Sequence, residues 1–142
     1  MKLLSLVVFI LFCNCSMRHT TRERFIEIGS GGGFTGVDSK YRLMESGMLY
    51  FSSSLTDSFS YIGKMNKELT KTFFDNYDVM NFHSVDLDHP GNRYFYIDYS
   101  DGEDQHKIVW TDEFNHSVEN LSLFYNISMW RIKNFKNSIS RK

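Results

Sequence analysis

Apolar and polar residues alternate in several short stretches of the chain, and this period of two predicts β-strands. The stretches cover residues 24–29, 40–44, 48–51, 93–99 and 106–112. A turn sequence, Glu-Ser-Gly, joins the second stretch to the third, and Ser-Asp-Gly-Glu-Asp joins the last two. Each joined pair therefore predicts an antiparallel hairpin. A further short strand at 61–65 would bring the total to six.

Two longer stretches repeat their apolar residues every three or four positions, which predicts one apolar face on each of two helices. The first follows Asn66, a residue suited to capping a helix N-terminus, and it places Leu69, Phe73, Tyr77 and Met80 on one face. The second helix is predicted to begin at a serine cap and to end near residue 135. The cap and the apolar face of this helix are Ser117, Val118, Leu121, Tyr125, Ser128, Ile132 and Phe135.

This order of elements predicts an α+β fold. Consecutive hairpins pair antiparallel, and the absence of a strand–helix–strand repeat excludes a doubly wound parallel sheet. We expect one antiparallel sheet of five or six strands packed with two amphipathic helices. The expected order is strand, hairpin, an optional strand, helix, hairpin and helix. A single domain is predicted over residues 24–136, followed by a basic tail at 137–142.

The first residues of the chain differ in character from the rest. Lys2 precedes an apolar run from Leu3 to Phe12 that is interrupted only by Ser5. This length suits the core of a signal peptide and falls short of the roughly 20 apolar residues that span a membrane. We therefore predict a signal peptide at 1–14. The alternative is a buried N-terminal strand or core helix.

The only two cysteines, Cys13 and Cys15, lie at the end of the apolar run. A disulfide between them would close a very tight loop, and no later cysteine could form a disulfide framework. The sequence Leu-Phe-Cys-Asn-Cys-Ser resembles the lipobox of bacterial lipoproteins loosely, with Leu11 four residues before Cys15 and Asn14 in place of glycine or alanine. The resemblance implies acylation of Cys15, a tether at 15–23 and attachment to a membrane of the bacterial cell envelope. Secretion without a lipid is the alternative.

The overall charge is close to neutral. Sixteen basic and 17 acidic residues give a net charge of −1, which becomes −2 when Lys2 is removed with the signal peptide. This balance argues against a nucleic-acid partner. From Asn120 to Lys142, however, there are five basic residues and no acidic residue. The cations suit either a patch for phosphates or anionic lipid, or the negative end of a helix dipole.

Five of the nine glycines lie between Gly29 and Gly36, in Gly-Ser-Gly-Gly-Gly-Phe-Thr-Gly. Gly31, Gly33 and Gly36 have the spacing of a phosphate-binding loop, which requires a helix directly after it. A strand pattern follows instead, and the Lys-Ser or Lys-Thr pair of a Walker loop is missing after Gly36. We therefore expect neither a nucleotide nor another cofactor, and we interpret the run as an exposed loop, a bulge or a sharp corner.

Phe34 is the only large side chain within the glycine run. It either folds back into the core or projects as an anchor for a protein partner. The second alternative defines a candidate interaction loop, made of Gly31, Gly32, Gly33, Phe34 and Gly36.

A second cluster consists of His83, Asp86, Asp88 and His89, which lie within seven residues. Two histidines and two carboxylates could ligate zinc or iron and support hydrolysis. The segment from Asp88 to Asn92 is also good turn chemistry, because Asx turns and the fixed φ of proline favour a loop. We expect the turn, and therefore no metal site.

Several motifs together resemble a family of small Bacteroidota-type lipoproteins of unassigned function. They are Gly-Gly-Gly-Phe-Thr-Gly after the first strand, His-Pro-Gly-Asn-Arg-Tyr-Phe in mid-chain and a late strand that ends near Trp110. The match covers about Phe25 to Trp110. More distantly, the element from Gly32 to Gly36 and the strand-rich order are similar to emfourin, a protein inhibitor of thermolysin-type metalloproteases. That similarity implies a loop or edge that blocks a protease cleft.

Taken together, these features favour a non-enzymatic binding or inhibitor-like module, exported and anchored by lipid, with an envelope protein or a protease as partner. One alternative is a metal-dependent hydrolase that uses the histidine and aspartate cluster. The other is a purely structural envelope lipoprotein.

Overall fold

Six strands form one antiparallel sheet in the order β4-β3-β2-β1-β5-β6. The structure is a computed structural model, and it describes residues 23–56, 58–111 and 119–141. The strands are β1 (Phe25–Gly32), β2 (Ser39–Met44), β3 (Met48–Ser53), β4 (Ser60–Lys64), β5 (Arg93–Ser100) and β6 (Gln105–Thr111). The helices are α1 (Lys67–Val79) and α2 (Glu119–Ile139), and a short 3₁₀ turn covers Phe82–Ser84.

Strand β1 lies inside the sheet, between β2 and β5, and its alternation separates the two faces. Ile26 and Ile28 point to one face, where their neighbours across the strands are also apolar. Glu27 and Gly29 point to the other face, opposite polar and aromatic residues of β2 and β5. One face is therefore built for a core and the other for polar contacts.

Both helices pack on the apolar face. The N-terminus of α1 is capped as predicted, because the Asn66 side chain accepts a 2.8 Å hydrogen bond from the Leu69 N–H. Phe73 and Tyr77 of α1 share one buried cluster with residues of α2 and of the sheet. The buried residues of α2 are Leu121, Phe124, Tyr125, Ser128 and Ile132.

Tyr77 lies at the centre of this core and is fully buried. Its ring stacks on Tyr99 at 4.6 Å and meets Phe82 edge-on at 5.5 Å. The Tyr77 hydroxyl lies 3.0 Å from Nδ1 of His106, and Nε2 of His106 lies 3.0 Å from the Val85 carbonyl oxygen. Because a carbonyl can only accept, Nε2 of His106 carries a proton, and the buried hydroxyl has its partner at Nδ1.

The two edges of the sheet differ. At the outer edge of β6, the Val109 N–H donates to the Leu87 carbonyl and the His89 N–H donates to the Val109 carbonyl, so residues 87–89 cover that edge at Val109. Within the described part of the chain, β4 has a strand partner on one side only, β3.

The predicted α+β fold and its order of elements are confirmed, with the optional sixth strand present as β4. Two elements continue by three or more residues beyond the sequence prediction. Strand β1 continues through the first glycines to Gly32, and α2 continues to Ile139, into the segment expected as a tail. Residues 1–22, with Cys13 and Cys15, and the predicted cap at Ser117 lie outside the described residues.

Candidate functional site

The glycine run ends in a short exposed loop at one end of the sheet. Gly32, Gly33 and Gly36 have φ angles of 77°, 72° and 62°, a region that side chains with a Cβ rarely enter. The Gly33 N–H donates to the Asn92 carbonyl at 2.5 Å, and the Gly36 N–H donates to the Gly33 carbonyl at 3.2 Å. The loop backbone is therefore held by its own hydrogen bonds and by the start of β5.

Phe34 projects from this loop and is fully exposed. The sequence left open whether the Phe34 side chain folds back into the core or projects, and in the structure it projects into solvent. Gly31 and Gly32 belong to β1, so only Gly33, Phe34 and Gly36 of the candidate interaction loop lie outside a strand. They belong to the connection 33–38 between β1 and β2.

Asp38 fastens the other end of the loop. Its two carboxylate oxygens accept hydrogen bonds from the hydroxyls of Tyr94 and Tyr96, each at 3.0 Å. Its backbone N–H donates to the Ser54 hydroxyl, and its carbonyl accepts from the Ser54 N–H. Asp38 thus ties the loop to β5 and to the neighbouring loop that follows β3.

Gly29 and Gly31 pack directly against the rings of Tyr96 and Tyr94. A Cβ added at Gly29 would lie 2.5 Å from the Tyr96 hydroxyl oxygen, and one added at Gly31 would lie 2.5 Å from that of Tyr94. Both rings therefore lie directly over β1, in the space that side chains at 29 and 31 would otherwise fill. Burial, with the negative charge of Asp38 next, raises the pKa of Tyr96, so its hydroxyl stays a hydrogen-bond donor.

Two carboxylates lie side by side on the same face. Glu27 of β1 is opposite Asp98 of β5, and the two residues are only 3% and 6% exposed. Glu27 accepts from Arg42, at 2.6 Å to Nε, and pairs with Lys40 at 3.4 Å. Asp98 accepts from Nε2 of Gln105, at 2.9 and 2.8 Å. Each buried carboxylate therefore has hydrogen-bond donors of its own: Arg42 and Lys40 for Glu27, and Gln105 for Asp98.

Burial raises the pKa of Asp98, and the nearby charge of Glu27 acts in the same direction, while the Gln105 hydrogen bond opposes them. Below the ordinary pKa of 3.8, Asp98 is protonated in both the folded and the unfolded chain. As the pH rises through the higher folded pKa, burying the ionised carboxyl costs stability, so the favourable contribution of Asp98 is lost.

We therefore expect Asp98→Asn to raise the free energy of unfolding at pH 7 and to bring no such gain at pH 3. Asp101 provides the opposite control, because hydrogen bonds from the backbone N–H groups of Asp104 and Glu103 lower its pKa. Asp101→Asn is expected to lower stability at pH 7, with the loss fading as the acid pH protonates Asp101. Urea unfolding at the two pH values measures both effects, and a loss for Asp98→Asn at pH 7 would contradict the first.

A polar cleft of about 240 Å³ opens beside the loop. Its lining residues are Asp38, Lys40, Ser52, Ser53, Ser54, Tyr96 and Lys107. Nζ of Lys107 lies 4.5 Å from the centre of the Tyr96 ring. The cleft thus offers ammonium groups, hydroxyls and one carboxylate to a ligand, an arrangement suited to binding a polar chain segment.

Sequence reasoning did not single out Asp38, Glu27, Asp98 or Lys107 as site residues. The alternation of apolar and polar residues could have indicated the two carboxylates, because Glu27 and Asp98 occupy alternate positions of β1 and β5 that point away from the apolar face. Their juxtaposition depends on the register between strands that are far apart in the chain.

The histidine and aspartate cluster is dispersed by its loop. His83 lies 3.2 Å from Asp78 of α1 and packs edge-on against Tyr77 and Tyr99, on the side of the core. The backbone of His89 runs along β6 instead. Across 23–56, 58–111 and 119–141, no three histidine, cysteine, aspartate or glutamate side chains are placed to hold a metal ion together.

Neither described helix is long and apolar enough to pass through a membrane. A scan against models of known protein families and a search of curated proteins both found no match to the chain.

Proposed function

We propose that this protein is an exported, lipid-anchored envelope protein that acts as a non-enzymatic binding module, with residues 33–38 as its recognition loop. The observation that carries the proposal is Phe34, which is fully exposed on a loop whose backbone is held at both ends. An exposed phenylalanine has an unfavourable contact with water, and a protein pocket would remove it.

The bracing of the loop supports a binding role. A flexible loop loses conformational freedom when it binds, whereas a preformed loop avoids most of that cost. Leu55, in the loop after β3, is also largely exposed, and the Ser54–Asp38 hydrogen bonds bring that loop to the same end of the sheet. Two apolar side chains beside a polar cleft match the usual plan of a small interface, an apolar centre with a polar rim.

A narrower form of the proposal is inhibition of a thermolysin-type protease. Its support is the likeness of the Gly32–Gly36 element to emfourin, together with a loop that projects from the end of the sheet. In this form Phe34 would enter the cleft of the protease, and the polar side chains beside the loop would contact its rim.

The test is Phe34→Ala, with Val79→Ala as the matched control, because Val79 is a largely exposed apolar side chain at the end of α1. Both variants are expected to keep the stability of the wild type within about 0.5 kcal/mol, since neither side chain is buried. Truncation of a central aromatic anchor is expected to weaken binding at least tenfold, which corresponds to about 1.4 kcal/mol.

Two measurements follow from this pair of variants. In a titration against a thermolysin-type protease, the wild type and Val79→Ala should inhibit, and Phe34→Ala should need at least ten times more protein. If micromolar wild-type protein leaves the activity of the protease unchanged, the proposal that the protein is an inhibitor is wrong. In capture from envelope extract, a partner bound equally by all three proteins would contradict the role given to Phe34.

A further inference from the structure

The outward face of α2 carries three large apolar side chains. Leu123, Ile127 and Trp130 are 49%, 39% and 65% exposed, and their spacing of four and three residues places them in one stripe on the helix. The buried face of α2 is formed by other residues, so the stripe is not required for the core.

Two cations follow the stripe. Lys133 lies on α2, three residues after Trp130, and Arg141 lies two residues beyond the end of α2 at Ile139; both are exposed. Among the described residues, neither of them pairs with a carboxylate. The chain has no acidic residue between Asn120 and its C-terminus to neutralise them.

Lys136 is turned inward and does not contribute to this surface. Its Nζ donates to the Tyr41 hydroxyl at 3.1 Å and lies over the Tyr41 and Phe51 rings. Arg131 lies at the border of the stripe, with its guanidinium 5.9 Å from the centre of the Phe73 ring. The positive charge of the surface therefore comes from Lys133 and Arg141, which lie next to the apolar stripe and are not paired with a described carboxylate.

The size of the stripe argues against a stable protein interface. Even a fully buried aromatic side chain contributes at most about 250 Å². Three partly exposed side chains therefore provide well under the roughly 800 Å² per partner of a standard interface. A lipid surface sets no such threshold, because each inserted apolar side chain and each cation near anionic headgroups adds its own contribution.

We propose that the outward face of α2 docks on an anionic lipid bilayer. Leu123, Ile127 and Trp130 enter the boundary between headgroups and acyl chains, where tryptophan is at its most favourable. Lys133 and Arg141 lie at the level of the anionic headgroups. This docking is separate from the proposed lipid at Cys15, and in an anchored protein it would fix which side of the domain faces the membrane.

The two tryptophans make the proposal directly measurable. Trp110 is fully buried in the core, so only Trp130 can report contact with lipid. The probe is a vesicle of phosphatidylglycerol and phosphatidylethanolamine, compared with one of phosphatidylcholine. The protein is residues 16–142, which retains every described strand, helix and core residue but lacks the apolar leader and the acylation site.

With anionic vesicles we expect the emission of Trp130 to shift to shorter wavelength and to be quenched by brominated acyl chains. Lys133→Gln combined with Arg141→Gln should weaken vesicle binding at least tenfold, because each cation near an anionic surface contributes about fivefold. Trp130→Phe should abolish the spectral shift and retain sedimentation with the vesicles. Ile127→Ser should weaken sedimentation without unfolding the chain, as Ile127 is partly exposed.

Three outcomes would overturn the proposal. The first is that anionic vesicles with brominated acyl chains do not quench Trp130. The second is that the wild type binds phosphatidylcholine vesicles as tightly as anionic ones, or that the variant with both Lys133→Gln and Arg141→Gln binds anionic vesicles as tightly as the wild type. The third is a shift that appears without lipid as the protein concentration rises, which would assign the stripe to a second copy of the chain. Fractionation of cells that produce full-length Cys15→Ser tests the anchor separately, so loss of one mode of attachment is distinguishable from loss of the other.

Discussion

Replacement of Gly29 by alanine is expected to lower the free energy of unfolding by about 3 kcal/mol, the upper part of the usual range for overpacking. The added methyl group would lie 2.5 Å from the Tyr96 hydroxyl oxygen and 2.8 Å from the Ser39 carbonyl oxygen. The ring cannot move aside freely, since Tyr96 is buried and its hydroxyl is bonded to Asp38. Urea unfolding followed by far-ultraviolet circular dichroism measures the loss.

Two further substitutions separate the steric effect from other effects of adding a methyl group. In a Tyr96→Leu background the same change at Gly29 should cost distinctly less, because the atoms that it meets at the ring are gone. At Gly33 no atom lies within 4 Å of an added Cβ, so Gly33→Ala should cost only the 1–2 kcal/mol of a left-handed backbone. An equal loss for Gly29→Ala with and without the Tyr96 ring would contradict the role of ring packing.

Removal of the Asp38 carboxylate is the second change with a large expected effect. Asp38→Ala should lower the free energy of unfolding by about 3 kcal/mol, because hydrogen bonds to a charged acceptor contribute about 1.5–3 kcal/mol each and the buried Tyr96 hydroxyl is left without its acceptor. Asp38→Asn retains one acceptor oxygen and should lose about half as much. Chemical denaturation of the two variants beside Tyr96→Phe measures these differences.

The same substitution should loosen the recognition loop. Asp38 joins residues 33–38 to β5 and to Ser54, so hydrogen exchange at the Gly33 and Gly36 amides should become faster in Asp38→Ala. The partner binding proposed for Phe34 should then weaken even though Phe34 itself is unchanged, since ordering the loop again costs free energy. Unchanged exchange and unchanged binding would show that the loop does not depend on Asp38.

The elements of the fold could be predicted from local pattern. The period of two in β5 and β6, the capping Asn66 and the spacing of Phe73 and Tyr77 are signals contained within a few neighbouring residues. Each of these signals predicts the observed element correctly, because the local pattern and the tertiary structure favour the same secondary structure.

The candidate site could not be predicted in the same way, because it depends on the pairing of distant strands. Gly29 lies opposite Tyr96 across the β1–β5 pair, and Glu27 lies opposite Asp98, although about 70 residues separate the members of each pair in the chain. The local pattern ends the first strand at Gly29 and leaves Gly31 in the loop. Only the register shows that Gly31 is also a strand residue, and that the missing side chains of both glycines make room for two tyrosine rings. The direction of Phe34 likewise follows from backbone angles that no periodic pattern records.

The unequal edges of the sheet limit how copies of this protein could assemble. Residues 87–89 cover the edge of β6 at Val109, and among the described residues β4 has a neighbour only at β3. Strand-to-strand association of two copies through β4 would therefore form a closed pair, in which the free edge of β4 in each copy is covered by the other. Two copies joined in this way would have no second β4 edge through which to grow into a fibre.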